Sequence, residues 1–343
     1  MRNIVFLNFD SFTKEKTKFF NIVNKTLSKN NLNLIILSDE EIKGAKFQLN
    51  KLNYKKYVVN GNLRQIKKIL KIKKKNEKEW ENILKLYYKR ENLNFIRNKI
   101  NSLITNYLYF LIKNKPSLAI IWTEYHPFCE IFKLMCQHFK INFLIAERGL
   151  LNETIVIEKN GIYGKSYITD KRNIQFKKVN HFKKFIKVYD KLRDKWSKKR
   201  DKYFNPKDIY RDKKTIFFAG TNEIWHGLYP YKNSQTSPLY NSHFQLLKDL
   251  SKIKMKYENL EIIFKPHPKD RIFNLYQNFI PKNITILKET NAIDLIKKSD
   301  LFITIASSLI CDAMFYNKPS LIVGKFEISN KNICHEVKKK SDI

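Results

Sequence analysis

Two short segments of this sequence place anion-binding groups directly after apolar runs. Lys265-Pro266-His267-Pro268 follows a run that ends at Phe264, and Ser307-Ser308 follows the run Leu301–Ala306. An ammonium and an imidazole can stabilise or protonate a leaving phosphate, and hydroxyls can hydrogen-bond it. A helix that begins just after the serines would add the free N–H groups of its first turn. These residue types suit a phosphate or a nucleotide diphosphate.

Both segments are expected at the carboxyl end of a β-strand. Pro266 and Pro268 cannot donate to a sheet ladder, so their strand should end at Lys265. In open parallel sheets, ligands bind at the edge where the strands' carboxyl ends meet. Either segment alone could be only a strand stop or a helix cap. Their coincidence after two predicted strands favours a binding site that includes His267, Ser307 and Ser308.

The surrounding pattern predicts two α/β halves. Predicted strands cover Asn3–Phe9, Leu32–Leu37, Ser117–Trp122, Ile141–Ala146, Thr215–Ala219, Leu260–Lys265, Ile284–Leu287 and Leu301–Ala306. Predicted helices cover Phe12–Leu27, Arg64–Lys78, Trp80–Lys113, Phe128–Phe139, Lys171–Tyr203, His243–Tyr257, Arg271–Asn278 and Ala292–Lys298, and one begins near Leu309. Residues 40–60 favour no element, 147–166 and 221–242 are predicted loops, and the pattern fades after Lys325. Alternation of strands and helices predicts two Rossmann-like α/β domains facing a cleft. We expect domains at residues 1–165 and 213–343, joined by a basic helical crossover at 166–212.

Further candidate residues follow other predicted strands. Glu147-Arg148-Gly149 ends the strand Ile141–Ala146, and Gly149 is predicted to need a positive φ or a close approach to a ligand. Gly220, after Thr215–Ala219, is predicted to let its loop approach a ligand. His126 is a weaker candidate on the side that would hold an acceptor.

The composition restricts the partners. With 67 Lys+Arg against 32 Asp+Glu, the formal net charge is +35, which predicts attraction to anionic lipid, nucleic acid or an acidic glycan. Basic helical patterns at 64–78 and 171–200 could hold an anionic membrane surface or be solvated faces. No apolar run approaches the ~20 residues of a membrane span, and no signal-peptide pattern is present. The four cysteines show no CxxC pair or zinc spacing, which predicts free thiols, and no cluster of metal-ligand residues appears in the sequence.

Motif absences exclude two common nucleotide sites. The sequence has neither a GxGxxG fingerprint nor a P-loop, which argues against NAD, FAD and P-loop triphosphatase chemistry.

Three of these segments together resemble a known group. The E-x-G triplet at Glu147, the His-Pro pair at His267 and the serine pair at Ser307 resemble, in this order, motifs of bacterial GT-B glycosyltransferases that use CMP-activated acid sugars. The stretch ERGLLNETIVIEKNGIYGKS is similar to the signature of bacterial capsular polysaccharide synthesis proteins, which include Kdo transferases. The resemblance covers about residues 140–325. Arg148 stands where several relatives carry an acid, which leaves Glu147 as the acid of that triplet.

The resemblance implies a metal-independent transferase of capsule or lipopolysaccharide biosynthesis. It implies a nucleotide-sugar donor, CMP-linked in such enzymes, which the C-terminal half would hold through Lys265, Pro266, Pro268, Ser307, Ser308 and Gly220. His267 would assist the leaving phosphate, and Glu147, with Arg148 and Gly149 in a cleft loop, would be the general base toward a lipid-linked or polysaccharide acceptor. The expected location is the cytoplasm, with the protein bound peripherally to the inner face of the cell membrane.

Two alternatives remain open. The KPHP segment also occurs in glycerol- and ribitol-phosphate polymerases, so a CDP-linked polyol-phosphate transferase is possible on the same residues. The positive charge alone would also suit a nucleic-acid-binding protein, but the sequence has no RNA-binding signature or compact basic motif, and no specific nucleic acid is expected.

Overall fold

The computed structural model describes residues 2–8, 14–38, 44–52, 63–151, 154–170, 213–230 and 235–343. The chain forms two compact units: unit 1 comprises Met1–Glu147 and Ile157–Gly161, and unit 2 comprises Arg148–Val156 and Ile162–Ile343. The predicted helix Lys171–Tyr203 lies outside the described residues.

The first sheet has six strands. They are β1 (Arg2–Asn8), β2 (Leu32–Ser38), β3 (Gln48–Lys51), β4 (Leu118–Trp122), β5 (Asn142–Arg148) and β6 (Ile155–Glu158). Their order is β3-β2-β1-β4-β5-β6, and β1 pairs in parallel with both β2 and β4. This is the 3-2-1-4-5-6 order of dinucleotide-binding Rossmann sheets. The central strands are apolar because both faces of the sheet are covered. Val5, Leu7 and Ile36 are fully buried, with 0% exposure.

Helices cover the first sheet. They are α1 (Lys14–Ser28), α2 (Leu63–Tyr87), α3 (Leu93–Asn114) and α4 (Pro127–His138). Buried Trp80 of α2 donates its indole N–H to Glu130 of α4 over 2.9 Å. Among the helices of the described residues, none combines the length and apolarity that crossing a membrane requires.

The second sheet repeats this order. Its strands are β7 (Lys214–Ala219), β8 (Leu260–Lys265), β9 (Thr285–Ile286), β10 (Leu301–Thr304), β11 (Ser320–Ile322) and β12 (His335–Glu336). They are ordered β12-β11-β10-β7-β8-β9, with all five pairings parallel. The helices are α5 (Tyr167–Asp170), α6 (His243–Lys256), α7 (Phe273–Tyr276), α8 (Ala292–Lys298) and α9 (Leu309–Phe315), with short 3-10 turns at Tyr163–Lys165, Gln277–Phe279 and Lys340–Asp342.

The prediction of two Rossmann-like α/β domains is confirmed by these two sheets. The strand before the two prolines ends at Lys265, as predicted, because neither proline can extend the ladder.

Several element boundaries differ from the predictions. The long helical pattern between residues 64 and 113 breaks at Tyr88–Asn92, and not near Glu79. Asn92 caps α3 by accepting from the Phe95 N–H over 2.9 Å. Residues 40–60 contain the edge strand β3, and the predicted loop 147–166 contains β6. Both strands have only four residues, which is too short for a reliable alternating pattern.

Candidate functional site

The second sheet has a topological switch point between β7 and β10. From β7 the chain moves to β8 on one side, whereas β10 lies on the other side. Ligands of open α/β sheets bind beside the carboxyl ends of strands at such a point. The segments that emerge there are Gly220–Glu223 after β7, Ile305–Ser308 after β10 and Pro266–Asp270 after β8. The sequence-predicted groups of the C-terminal half thus lie on one edge of one sheet.

His267 is half-buried in the loop after β8. Its Nδ1 accepts the backbone N–H of Lys269 over 3.1 Å, so a neutral ring carries its proton on Nε2. Burial lowers the pKa of His267 to about 3, and the positive charges of Lys269 and Arg148 add to this shift. At neutral pH the ring is therefore a neutral N–H donor and not a cation. It can hydrogen-bond a phosphate oxygen but is a poor proton donor.

The surroundings of His267 are electropositive. The charges of Arg148 and Lys269 both disfavour a proton on its ring. Arg148 is exposed at the end of β5 and belongs to unit 2, as His267 does. The position at which this chain departs from the E-x-G pattern of the resembling enzymes thus supplies a cation near the imidazole. Two cations and one N–H donor suit an anion.

Lys265 does not join this group directly. Its ammonium donates to the backbone carbonyl of Lys288 over 2.5 Å, which follows β9. Since β9 lies on the opposite side of β8 from β7 and β10, the side chain turns away from the switch point. The Lys265 ammonium is thus bonded to the backbone after β9, and a role of Lys265 toward a phosphate stays a prediction.

The two serines of the pair make different contacts at the start of the helix. The Ser307 hydroxyl accepts the N–H of Leu309 over 3.3 Å, and Ser308, in the N-cap position, makes no side-chain cap bond. Helix α9 has only seven residues. Ser308 makes no cap because its backbone is already helical (φ −61°, ψ −17°), and Ser307 bonds the first turn instead. Ser308 is exposed, and a role of either hydroxyl toward a phosphate stays a prediction.

Two of the predicted site glycines are tightly packed within the chain. Gly149 does not have a positive φ; a Cβ there would lie 2.2 Å from Thr154 Oγ1, so close packing within the chain selects glycine. At Gly220, a Cβ would lie 3.1 Å from the Phe264 ring and 3.2 Å from the Lys265 carbonyl oxygen. Packing against β8 thus favours glycine here, and a close approach of the loop to a ligand stays a prediction.

The predicted acceptor-side residues lie in unit 1. Glu147 is buried near the end of β5 and is not in a turn. His126 precedes α4, packs edge-on against Tyr87 and Phe128, and has its pKa lowered to about 4 by burial. The remaining predicted residues are Pro266, which is buried, and Pro268, which is exposed.

The structure adds a buried cluster that the sequence analysis missed. Glu223, His243 and Asp270 each offer one potential ligand atom, and these atoms lie within 4.8 Å of one another. All three side chains are 0% exposed. They come from the loop after β7, the start of α6 and the loop after β8. No local spacing connects them, and the only sequence signal was a polar Thr-Asn-Glu segment directly after a buried strand.

Hydrogen bonds fix the tautomer of His243. The backbone N–H of Thr221 donates to Nε2 over 3.1 Å, and Nδ1 lies 3.0 Å from Glu223 Oε1. Burial lowers the pKa of His243, but the carboxylates of Glu223 and Asp270 outweigh it and raise the pKa. The Thr221 N–H opposes protonation because it needs the Nε2 lone pair, and we therefore assign a neutral ring that donates from Nδ1 to Glu223.

An aromatic pair lies beside the switch point. The rings of Tyr163 and His226 stack with centroids 4.2 Å apart and an interplanar angle of 20°. His226 Nδ1 lies 2.9 Å from the Asn222 carbonyl oxygen, and the ring also interacts with the backbone of Ala306. Burial lowers the pKa of His226 to about 4, so it too is neutral. His226 therefore connects the loop after β7 to the segment after β10.

The segment around Thr236 is packed between two glycines. A Cβ on Gly164 would lie 2.2 Å from the Gln235 carbonyl oxygen, and one on Gly324 would lie 2.6 Å from that of Thr236. The Thr236 carbonyl also accepts the Lys325 N–H over 2.7 Å. Backbone-to-backbone packing thus orders part of the long predicted loop 221–242.

Comparison with known proteins yields only distant structural likenesses. No protein-family model matches the chain, and no curated protein matches its sequence. Among solved structures, this chain is similar to Thermosulfurimonas dismutans KpsC, beta Kdo 2,4 transferase. The two sequences are 13% identical, the TM-score is 0.45, and the match covers 66% of this chain and 75% of that chain. A second KpsC structure from the same organism, beta Kdo 2,7 transferase, is 17% identical with a TM-score of 0.41, and the match covers 69% of this chain and 74% of that chain. UDP-GlcNAc 2-epimerase from Neisseria meningitidis, bound to UDP-GlcNAc, is 13% identical with a TM-score of 0.39 (94% and 82%). Such low scores assign no function to this chain.

Proposed function

We propose that this chain is a glycosyltransferase of capsule or lipopolysaccharide biosynthesis that takes its sugar from a nucleotide donor, with a CMP-linked acid sugar as the first candidate. The donor phosphate would bind at the switch point of the second sheet. The observation that carries the proposal is the neutral N–H donor His267 in surroundings made positive by Arg148 and Lys269. The motif resemblance of Glu147, His267 and Ser307 supplies the reaction class.

The proposed reaction transfers the sugar to an acceptor hydroxyl. The acceptor oxygen bonds to the anomeric carbon, the bond from that carbon to the phosphate oxygen breaks, and its electron pair stays on the phosphate. His267 Nε2–H would hydrogen-bond the departing phosphate, while Arg148 and Lys269 would offset its charge. Glu147, in unit 1, is the proposed base that takes the acceptor proton.

A donor panel tests the proposal. The protein is incubated with CMP-Kdo, CMP-sialic acid, UDP-sugars and CDP-glycerol, and release of the nucleotide is followed. Release from one CMP- or UDP-sugar supports a glycosyltransferase. Selective turnover of CDP-glycerol would instead establish the polyol-phosphate alternative that the KPHP segment leaves open. The proposal fails if no donor is bound or turned over.

Ser307→Ala combined with Ser308→Ala is expected to weaken nucleotide binding about tenfold, because two hydroxyls that can donate to the phosphate are lost. Calorimetric titration with CMP and UDP measures this. Ser341→Ala, an exposed serine near the C-terminal end, is the matched control. An unchanged affinity in the double variant would remove the serines from the site.

Binding to anionic membranes is expected from the basic face of α2, since a lipid-linked acceptor needs the enzyme at a membrane. Lys67, Lys71, Lys74 and Lys75 are exposed there. Each lysine near an anionic surface contributes about 1 kcal/mol. Changing all four to Gln should weaken sedimentation with phosphatidylserine vesicles at least tenfold, and high salt should release the wild-type protein.

The matched control for the α2 variant replaces four exposed lysines of unit 2, namely Lys256, Lys282, Lys298 and Lys338. Equal loss in both variants would indicate attraction by net charge alone. If the wild-type protein ignores the vesicles at low salt, the membrane role is lost. Tighter, steeply salt-dependent binding to RNA or DNA than to vesicles would favour the nucleic-acid alternative.

A further inference from the structure

The buried cluster of Glu223, His243 and Asp270 has two carboxylate oxygens that its surroundings do not satisfy. Glu223 Oε1 accepts the backbone N–H of His243 over 2.8 Å and faces its Nδ1. Within the described part of the chain, Glu223 Oε2 and Asp270 Oδ2 have no hydrogen-bond partner, although both are buried. An unsatisfied buried carboxylate oxygen is costly, so the cluster must hold something that these hydrogen bonds do not account for.

The charges of the cluster do not balance if both acids are ionised. The titratable groups that act on Asp270 are Glu223 from the loop after β7, His243 from α6 and Tyr276 from α7, whose hydroxyl lies 3.5 Å from His243 Nδ1. His243 is assigned as neutral, and Tyr276 has its pKa raised by burial. Two ionised carboxylates would thus face each other in a dry interior with no described cation.

Either a metal cation or a proton could restore the balance, and the hydrogen bonds favour a proton. A metal on His243 needs a lone pair at Nδ1, with the other ring nitrogen as a donor. Here Nε2 accepts the Thr221 N–H, so the proton of a neutral ring occupies Nδ1. The three-residue group therefore has the composition of a metal site but the wrong tautomer for one.

We propose that Asp270 is a protonated carboxylic acid in the folded protein and that, with Glu223 and His243, it positions the loop that carries His267. The role toward His267 rests on the proposed function. Burial raises the pKa of Asp270 to about 7, and the charge of Glu223 adds to this shift.

Asp270 and Glu223 connect the two loops at the switch point. The backbone N–H of Asp270 donates to the His267 carbonyl over 2.9 Å, and Asp270 Oδ1 accepts the Ile272 N–H over 3.2 Å. From the other loop, the Asn222 side chain donates to the Lys269 carbonyl over 3.0 Å. The backbone turn from His267 to Asp270 therefore ends in the cluster and is bonded to Asn222, the neighbour of Glu223, so a second negative charge at Asp270 would act directly on it.

The pH dependence has a definite sign. The folded-state pKa of Asp270 lies above the ~3.9 of an unfolded aspartate, so the proton-linked stability is complete below pH ~4 and is lost as the pH rises through ~7. The raised pKa implies that the folding equilibrium constant of unit 2 falls about 10²-fold between pH ~4.5 and ~7.5 through this group alone. Asp270→Asn has the shape of the protonated acid and should lack this fall.

Hydrogen exchange detected by mass spectrometry tests the proposal without any ligand. Protection of peptides covering residues 260–272, corrected for intrinsic exchange, is compared for the wild type and Asp270→Asn over that pH range. We expect Asp270→Asn to gain about 10²-fold in protection relative to the wild type as the pH rises. Asp249→Asn is the control of opposite sign, because Lys252 and Tyr240 outweigh burial and lower the pKa of Asp249.

Three results would overturn the proposal. These are identical pH slopes in wild type and Asp270→Asn, lower protection of Asp270→Asn at every pH, and a stoichiometric divalent ion in the purified protein whose removal by EDTA lowers protection. The positioning role is read from the His267 ring nitrogens by NMR: their shifts should change between pH ~6 and ~8 in the wild type and stay constant in Asp270→Asn. If these results hold but no nucleotide binds, only the proposed function fails.

Discussion

Replacing His267 with alanine is expected to lower donor turnover about 10²-fold or more while unit 2 stays folded. The imidazole is half-buried, neutral and held by the Lys269 N–H at Nδ1, so its Nε2–H is fixed in direction. A preorganised donor aimed at a developing oxyanion is worth about 10²–10³ in rate. Nucleotide release from the donor identified by the panel measures the effect, and hydrogen exchange verifies the fold.

Two further variants separate the role of His267 from a general loss of histidine. His267→Gln keeps an N–H donor near the Nε2 position and should recover part of the rate, whereas His335→Ala changes an exposed histidine of β12 and should have no effect. Because the ring is neutral, the rate should not rise as the pH falls toward 5. Near-normal turnover in a folded His267→Ala protein would refute its assignment.

Gly324→Ala is expected to have the largest effect on stability. A Cβ there would lie 2.4 Å from the Ile305 carbonyl oxygen and 2.6 Å from that of Thr236. Both are backbone atoms, which cannot rotate away as the end of a flexible side chain can. The free energy of unfolding of unit 2 should therefore fall by ~3 kcal/mol or more, because overpacking must shift β10 or the Thr236 segment.

The control for Gly324→Ala is Gly44→Ala, which presents the opposite situation. Gly44 has a φ of +76°, but a Cβ there would meet nothing within 4 Å. Alanine at this position is opposed only by the strain of a left-handed backbone, which should lower the free energy of unfolding by about 1 kcal/mol. Hydrogen exchange of peptides from each unit measures both changes. Equal and small losses would show that the segment around Thr236 moves easily, and the packing argument would be wrong.

The sequence was informative where a local rule decided the backbone. Two prolines fixed the end of β8 at Lys265, and the alternation of strands and helices was enough to predict two parallel sheets. It was less informative where the pattern was continuous or short. A lysine-rich helical pattern hid the break at Asn92, and the short edge strands β3 and β6 carry too few residues for a period to emerge.

What the sequence by itself determined is therefore the fold class and the sheet edge at which His267 and Ser307 lie, because strand ends follow from local chemistry. Only the tertiary structure decided which side chains act together there. It turned Lys265 toward Lys288, placed Arg148 where its charge reaches His267, and joined Glu223, His243 and Asp270 in one buried cluster. Side-chain direction and burial at a sheet edge depend on neighbouring strands that are distant in sequence, and no local spacing encodes them.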